Sequence, residues 1–401
     1  MRLVVAAGLA VALLVATRAP AFEGEDTFSY SVGGSIAYDN NLLRLPDGVT
    51  PAAAGAGNRP RGTWFGNAFA RVAMDAPVSR QRFQGYFQGN AYRYAQYSYL
   101  NWQGVDFGGN WLWEASNRWN GTLTYDYTRF LTGFADFRAL VQNLRTVQIA
   151  RGTAEYWLHP RWRLTGGYTG TFITNSDPVV ATTNLNTNAF GLGFKFLSTQ
   201  QNYVVFGARY TAGSYPNREQ PTIIGDTEFT QYDAGIDFSW GFGGKSELVG
   251  NLAYTQRDFP HIPQRDFSGP TGNIRFNWRA TGVSGLSAVL IRQIGAVEDV
   301  TANYILSTVA RIEPYWLVAP KLRIAASYEY QLRDYRGEPG VAIGLVQQRE
   351  DRYNFVGLNA SWTPTRNWQI GLGIVYSNRH STLPNFNFND VTTTASAQFT
   401  F

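Results

Sequence analysis

Few side chains in this sequence of 401 residues could perform nucleophilic or acid–base chemistry. There are three histidines, His159, His261 and His380, and no cysteine. His380 and Ser381 are neighbours in the segment RHS, and a histidine base activates a hydroxyl that lies within hydrogen-bonding distance. Such a pair would suit a barrel hydrolase acting on lipid or polymer. A solvated loop histidine explains the same residues, and we predict that the chain is not an enzyme.

Oxygen-bearing side chains cluster early in the chain, in YDNN at 38–41 with Asp47 close behind. Carboxylate and amide oxygens are calcium ligands, but no 12-residue ligand loop follows. Asp and Asn clusters also form turns without any ion. Because the sequence has neither a thiolate ligand nor a glycine-rich phosphate-binding motif, we predict no metal and no cofactor.

Charged and amide side chains recur at every second position in several segments. The segment near 271–280 carries four of them on one face, and later segments add more. We predict that these side chains line a water-filled interior, where they either select solutes or pair with one another and only solvate the wall. The candidate selectivity residues are Asn273, Arg275, Asn277, Arg279, Arg311, Arg323, Glu329 and Arg333.

The elements that position these charges are alternating strands. Apolar and polar residues alternate near 105–113, 119–127, 232–240, 322–332 and 368–376, which is the length and period of a strand that crosses a membrane at a tilt. Aromatic residues make up 15% of the chain and charged residues 16%, while the mean hydropathy is only -0.24. This combination is typical of a transmembrane β-barrel. The net charge of +5 is too small to indicate nucleic-acid binding.

The connections between strands alternate between short turns and long polar loops. Outer-membrane barrels place short turns in the periplasm and long loops outside, so eight short turns and two periplasmic termini predict an antiparallel up-and-down barrel of about 18 strands, with a range of 16–20. The short turns lie near 76–81, 114–118, 158–161, 198–201, 243–246, 280–285, 318–321 and 363–367; the long loops lie at 39–62, 131–143, 175–187, 214–228 and 334–350.

Three segments leave the direction of their side chains open: 64–75, 83–96 and 286–294. Arg292 fits the alternation worst. Tyr86, Tyr92 and Tyr94 would offer ring faces to sugars if they pointed inward, but Phe83 and Phe87 have the opposite parity.

Tryptophans flank several of the short turns. Because amphipathic rings sit at the headgroup level of a membrane, we predict that these residues form an interfacial girdle. Its members are Trp113, Trp119, Trp157, Trp162, Trp316, Trp362 and Trp368.

The two ends of the chain carry export and assembly signals. A basic start, an apolar run and Ala19-x-Ala21 predict a signal peptide over 1–21, followed by a single barrel domain over 22–401. The last strand ends in Phe399 and Phe401 and resembles the β-signal that the barrel assembly machinery recognises. We expect this strand to close the barrel by pairing with the first strand, near 28–38.

The segment FSYSVGGSIAYDNNLLRLPDG (28–48) resembles the start of the exosortase-associated exopolysaccharide biosynthesis proteins of the EpsL type. The resemblance implies an outer-membrane barrel, surrounded by lipid, that passes a secreted polysaccharide and works with periplasmic and inner-membrane export components. It brings no catalytic residues. The alternatives are a general or sugar-specific uptake porin, a barrel hydrolase, and an adhesive barrel with a blocked lumen.

Overall fold

The computed structural model describes residues 27–135, 140–219, 226–263, 266–295, 304–336 and 349–401. The predicted signal peptide, 1–21, lies outside these residues. Among the residues described, no helix is long and apolar enough to cross a membrane.

Eighteen strands account for most of the described chain, and three single turns of 3-10 helix lie in the loops. The strands are β1 Phe28–Asp39, β2 Thr63–Val78, β3 Gln81–Tyr94, β4 Trp102–Glu114, β5 Trp119–Leu131, β6 Leu144–His159, β7 Trp162–Asn175, β8 Leu185–Leu197, β9 Tyr203–Ser214, β10 Glu228–Phe242, β11 Ser246–Asp258, β12 Phe267–Trp278, β13 Ser284–Gly295, β14 Tyr304–Ala319, β15 Leu322–Arg336, β16 Glu350–Trp362, β17 Trp368–Ser381 and β18 Phe388–Thr400.

The strands form one closed antiparallel sheet. Each strand pairs with its neighbours in sequence, and β1 pairs with β18 from Ser31↔Thr400 to Asp39↔Thr392. The predicted count of 18 strands and the predicted closure are therefore confirmed. All eight predicted short turns join strands at one end of the barrel, the short-turn end, where Phe28 and Phe401 also lie. The opposite end is the long-loop end.

The outer face of the barrel is apolar. Large side chains such as Leu192 and Leu372 are 72% and 60% exposed, which is unfavourable in water and favourable against lipid. A closed barrel leaves no unpaired strand edge in the hydrocarbon region. An apolar exterior around a closed sheet places the chain in the bacterial outer membrane.

Pairing settles the direction of the three ambiguous segments. In β2 the odd-numbered side chains face inward, so Tyr86, Tyr92 and Tyr94 on β3 face inward as well, and Phe83 and Phe87 face out. The aromatic residues of β3 therefore divide between lipid and lumen.

Arg292 on β13 has the outward parity of Leu290, and it lies where the wall separates. β12 pairs with β11 as far as Phe267 but with β13 only as far as Gly272↔Arg292. The Arg292 guanidinium donates to the carbonyl oxygen of Pro270 (3.2 Å) and to Thr308 Oγ1 (3.3 Å). Arg292 thus supplies a hydrogen bond to a backbone carbonyl that lies beyond the last paired residues of β12 and β13. At this position its guanidinium group can reach water.

Most of the predicted girdle faces outward. Trp119, Trp316, Trp362 and Trp368 are between 43% and 55% exposed at the short-turn end. Trp113 has the same outward parity as Trp111 on β4, and Trp162 stacks on Phe194 with ring centroids 4.8 Å apart.

Trp157 does not belong to the girdle, so that part of the prediction is wrong. It shares the inward parity of Glu155, and the Arg163 guanidinium lies 3.9 Å from its ring centroid. Its neighbour Leu158, 56% exposed, faces lipid instead. Nearness to a turn was a poorer guide here than strand parity.

A buried ion cluster locks the seam between β1 and β18. Arg44 Nη1 lies 2.9 Å from Asp39 Oδ2 on β1 and 2.9 Å from Asp390 Oδ1 on β18. Asn41 donates from Nδ2 to the carbonyl oxygens of Leu45 and Asn389, each at 2.9 Å. These residues come from the YDNNLLRL segment, which therefore folds back over the seam and fastens the first strand to the last.

We expect Arg44→Ala to destabilise the barrel strongly, because it leaves two buried carboxylates without their cation. Removing one partner of a buried pair costs about 3–5 kcal/mol. The measurement is the urea-unfolding free energy of the refolded protein in lipid. The matched control is Arg82→Ala, which breaks a bridge to Asp75 whose arginine is 53% exposed and should change the unfolding free energy far less, because solvent screens an exposed ion pair. Equal losses in the two variants would contradict a seam lock.

Candidate functional site

The inward face of β12 is a polar part of the lumen wall. Asn273, Arg275 and Asn277 alternate along β12 as predicted, and Arg275 is exposed to the lumen. Among the described residues, Arg275 has no hydrogen-bond or ion-pair partner. Asn277 accepts a hydrogen bond from Ser287 Oγ at 3.1 Å. This wall therefore presents a free cation beside amide groups.

Arg279 lies beyond the end of β12, and its assignment to the lumen wall is wrong. It sits in the turn at the short-turn end, where Nη2 donates to the carbonyl oxygen of Gly244 at 3.1 Å. The strand ends at Trp278, so parity no longer determines the direction of the next side chain.

The charges on β14 and β15 mainly pair with one another. Arg311 Nε donates to Glu329 Oε2 at 2.5 Å, and its Nη1 lies 3.9 Å from Glu313 Oε1. The Arg323 guanidinium lies 4.8 Å from the centroid of the Tyr315 ring. Of the two roles predicted for lumen charges, Arg311 and Glu329 therefore fit pairing across strands and not selection of solutes.

Arg333 belongs to a buried arginine cluster at the long-loop end, together with Arg349 and Arg379. All three guanidinium groups lie within 6 Å of an aromatic ring, and Arg333 and Arg379 reach the Tyr353 hydroxyl at 3.4 and 2.9 Å. Arg349 Nη2 also binds Asp351 Oδ2 at 2.6 Å. Sequence reasoning found only the first member, although odd parity along β16 and β17 would have indicated Arg379.

Loop residues contact the inner wall at the long-loop end. Ala135, in the loop after β5, packs against Tyr353 and Phe388, which face inward from β16 and β18. Tyr304 and Leu306 have the outward parity on β14, yet they are only 4% and 1% exposed. They are buried because this end of β14 packs against Phe267, whose side chain faces inward from β12. Described loop residues therefore occupy part of the lumen at this end.

Asparagine side chains tie the long loops together. Asn143 Nδ2 donates to Asn175 Oδ1 (3.0 Å), Asn175 to Asn184 Oδ1 (3.0 Å), and Asn184 to Asn217 Oδ1 (3.3 Å). This chain of amides crosses three loops, and Arg145 Nε joins it by donating to Asn175 Oδ1 at 3.0 Å.

The proposed histidine–serine pair does not form. His380 and Ser381 are consecutive on β17, so they point to opposite faces of the sheet; His380 is exposed and Ser381 is buried. The Ser381 hydroxyl instead accepts the backbone N–H of Leu383 at 3.2 Å. Within the described ranges, no group of three or more His, Asp or Glu side chains could hold a metal ion.

Comparison with solved structures identifies the fold. OccK9 (OpdG) from Pseudomonas aeruginosa has a TM-score of 0.51 at 12% identity, over 93% of this chain and 98% of that chain. OccK2 (OpdF) from the same organism, in complex with glucuronate, has a TM-score of 0.51 at 11% identity, over 93% and 98%. A BenF-like porin from Pseudomonas fluorescens Pf-5 has 0.50 at 9% identity, over 93% and 99%. The likeness is one of fold.

No protein-family model matches this chain, and no curated protein matches it.

One carboxylate clamps two of the long loops. Asp226 accepts the backbone N–H of His261 at 2.9 Å, and its Oδ1 lies 2.8 Å from His261 Nδ1. Burial alone would raise the pKa of Asp226, but these hydrogen bonds hold it below its ordinary 3.8. A carboxylate with a lowered pKa contributes its full stability above the ordinary value and loses it as the pH falls through the folded value.

We expect the amide of His261 to be protected from hydrogen exchange at pH 6 and to lose at least tenfold protection as the pH falls through the lowered pKa of Asp226, since a hydrogen bond to a charged group contributes roughly 1.5–3 kcal/mol. Exchange rates corrected for intrinsic pH dependence provide the measurement. Asp226→Asn should exchange rapidly throughout this range. Protection that stays constant from pH 6 to pH 2 in the unaltered protein would rule out the clamp.

Proposed function

We propose that this chain is a passive outer-membrane channel of the porin type, which admits small polar solutes. The observation that carries the proposal is a closed barrel of 18 strands whose inward faces are polar and charged. Barrels of 16 to 18 strands are wide enough to leave an aqueous path. The chemistry of the wall is that of binding and passage, with no assembled nucleophile among the described residues.

Sugar acids are the first solutes to test. OccK2, which shares the fold, was crystallised with glucuronate. Arg275 offers this lumen an unpaired cation, while Arg311, Arg163 and Arg209 have their charges balanced by carboxylates. We therefore propose a modest preference for anions, set at the short-turn half of the lumen.

We expect the purified full chain to form ion-conducting channels in planar lipid bilayers, with a reversal potential that favours chloride in a KCl gradient. Arg275→Gln should shift that potential toward potassium selectivity, because it removes an unpaired cation from the wall. The matched control is Arg352→Gln, which makes the same change of charge on the exposed outer face of β16. Absence of any conductance would overturn the channel function, and equal shifts in both variants would overturn the role of Arg275.

Export of an exopolysaccharide is the second candidate, supported by the resemblance of residues 28–48. The structural role of Asp39, Asn41 and Arg44 at the seam accounts for part of that motif. The motif is therefore also consistent with a barrel that carries another solute. In the export case, a polysaccharide substrate and periplasmic and inner-membrane export components would be its partners.

Deleting the gene separates the two candidates. Export predicts at least a tenfold loss of surface polysaccharide, restored by the complete chain, whereas an uptake porin predicts unchanged polymer and slower growth on its solute. Polymer is quantified from washed cells, and the empty vector serves as the negative complementation control. Unchanged polymer would remove the export candidate.

A further inference from the structure

Three aromatic rings on the inner wall over β1–β4 each contact a glycine of the sheet. A Cβ at Gly33 would stand 2.7 Å from Phe69 Cζ, one at Gly104 would stand 2.7 Å from Trp102 Cζ3, and one at Gly108 would stand 2.8 Å from Tyr86 Cε1. Glycine leaves a hollow in the wall, and a ring occupies it. The three rings therefore pack against the wall itself.

Two of these rings also contact a second side chain. Tyr92, which pairs with Trp102 across the two strands, stacks on its ring with centroids 4.5 Å apart and planes 8° from parallel. The Arg71 guanidinium lies 4.3 Å from the Tyr86 centroid. Phe69, Tyr92 and Arg71 are each partly exposed, so part of each of these side chains remains in contact with the lumen.

Hydrogen-bonding groups fill the space between the rings. Gln88 Nε2 donates to Asn90 Oδ1 and Asn90 Nδ2 donates to Asp106 Oδ2, both at 2.8 Å. Arg71 pairs in register with Gln88, and Gln88 pairs with Asp106. The Trp102 indole N–H is buried and has no acceptor among the described residues. The patch thus holds amide, carboxylate and guanidinium groups between two ring faces.

The spacing of the patch matches a chain of sugars. Phe69 pairs with Asn90, which is one inward position from Tyr92; inward positions on a strand are about 7 Å apart and strands about 4.8 Å apart. The two partly exposed rings therefore lie within about 10 Å of each other. A pyranose presents C–H groups on its faces and hydroxyls around its edge, which suit a ring face and a polar group respectively.

We infer that Phe69 and Tyr92, with Arg71, Gln88 and Asp106 beside them, form a binding subsite for pyranose units of an oligosaccharide, an inference that rests on the proposed channel function. The rings stack on the sugar faces and the polar groups bind its hydroxyls. This wall is half a turn of the barrel from the free arginine, because β3 and β12 lie nine strands apart in the ring of 18. Stacking and charge therefore act on opposite sides of the lumen.

The experiment measures how maltohexaose, a neutral oligosaccharide of glucose, blocks the ion current of the full chain in planar bilayers. We expect concentration-dependent block, and a half-blocking concentration at least tenfold higher in Tyr92→Leu and in Phe69→Leu. Tyr92→Phe keeps the ring face and should change the value less than threefold. Tyr315→Leu is the matched control, since Tyr315 also covers an inward glycine, Gly285, but lies under Arg323 on another wall.

The outcomes separate the subsite from the channel. A chain that conducts but is not blocked by maltohexaose, or that is blocked equally after Tyr92→Leu, Phe69→Leu and Tyr315→Leu, would overturn the subsite and leave the channel function intact. Block by benzoate with no block by maltohexaose would also overturn it, because the patch would then recognise aromatic acids. A chain that does not conduct would overturn the channel function itself.

Discussion

Closure of the sheet is the constraint on which the rest of the structure depends. In hydrocarbon every backbone N–H and C=O must find a partner within the protein, and a barrel achieves this only if its first and last strands pair. Here nine residue pairs join β1 to β18. These two strands lie at opposite ends of the barrel sequence, so no short turn holds them together. The ion cluster of Asp39, Arg44 and Asp390 adds side-chain bonds at this seam. The YDNN segment, whose oxygens resemble calcium ligands in the sequence, therefore has a structural role.

Once the sheet is closed, its period of two fixes where each side chain points. Outward positions must be apolar because a charge at mid-membrane costs about 2–4 kcal/mol, so the charges of the sequence accumulate on the inside. Most of them then neutralise one another, as Glu155 does with Arg163 and Lys195. The lumen charges that remain without an ion-pair partner among the described residues, such as Arg275, are the ones exposed to the water in the lumen. The loops at the long-loop end limit the access to them.

Sequence alone predicted the strand number, the eight short turns and the inward faces of β12 and β15, because alternation and turn chemistry are local properties. It failed where a local rule stopped applying. Arg279 continues the odd-numbered series that faces inward on β12, but the strand ends one residue earlier, at Trp278. Trp157 lies next to a turn, as the girdle prediction required, but its side chain faces the lumen and not the lipid. The buried arginine cluster was largely missed, because its burial depends on loops from distant strands, such as the one that brings Ala135 to Tyr353.

The ambiguity of β2 and β3 has a physical cause of its own. The direction of a side chain is predicted from the difference in hydropathy between the two faces of its strand. That difference is lost where the inward face also carries aromatic rings, as it does at Phe69, Tyr86 and Tyr92. Contact with lipid does not explain these rings, because they face inward. Phe69 packs on Gly33 of the neighbouring strand β1, and Tyr86 packs on Gly108 of the neighbouring strand β4. Because rings stand on both faces of β3, the difference in hydropathy between its lipid face and its lumen face is small. The segment that resisted interpretation from sequence is therefore the one where the two faces of the wall resemble each other most.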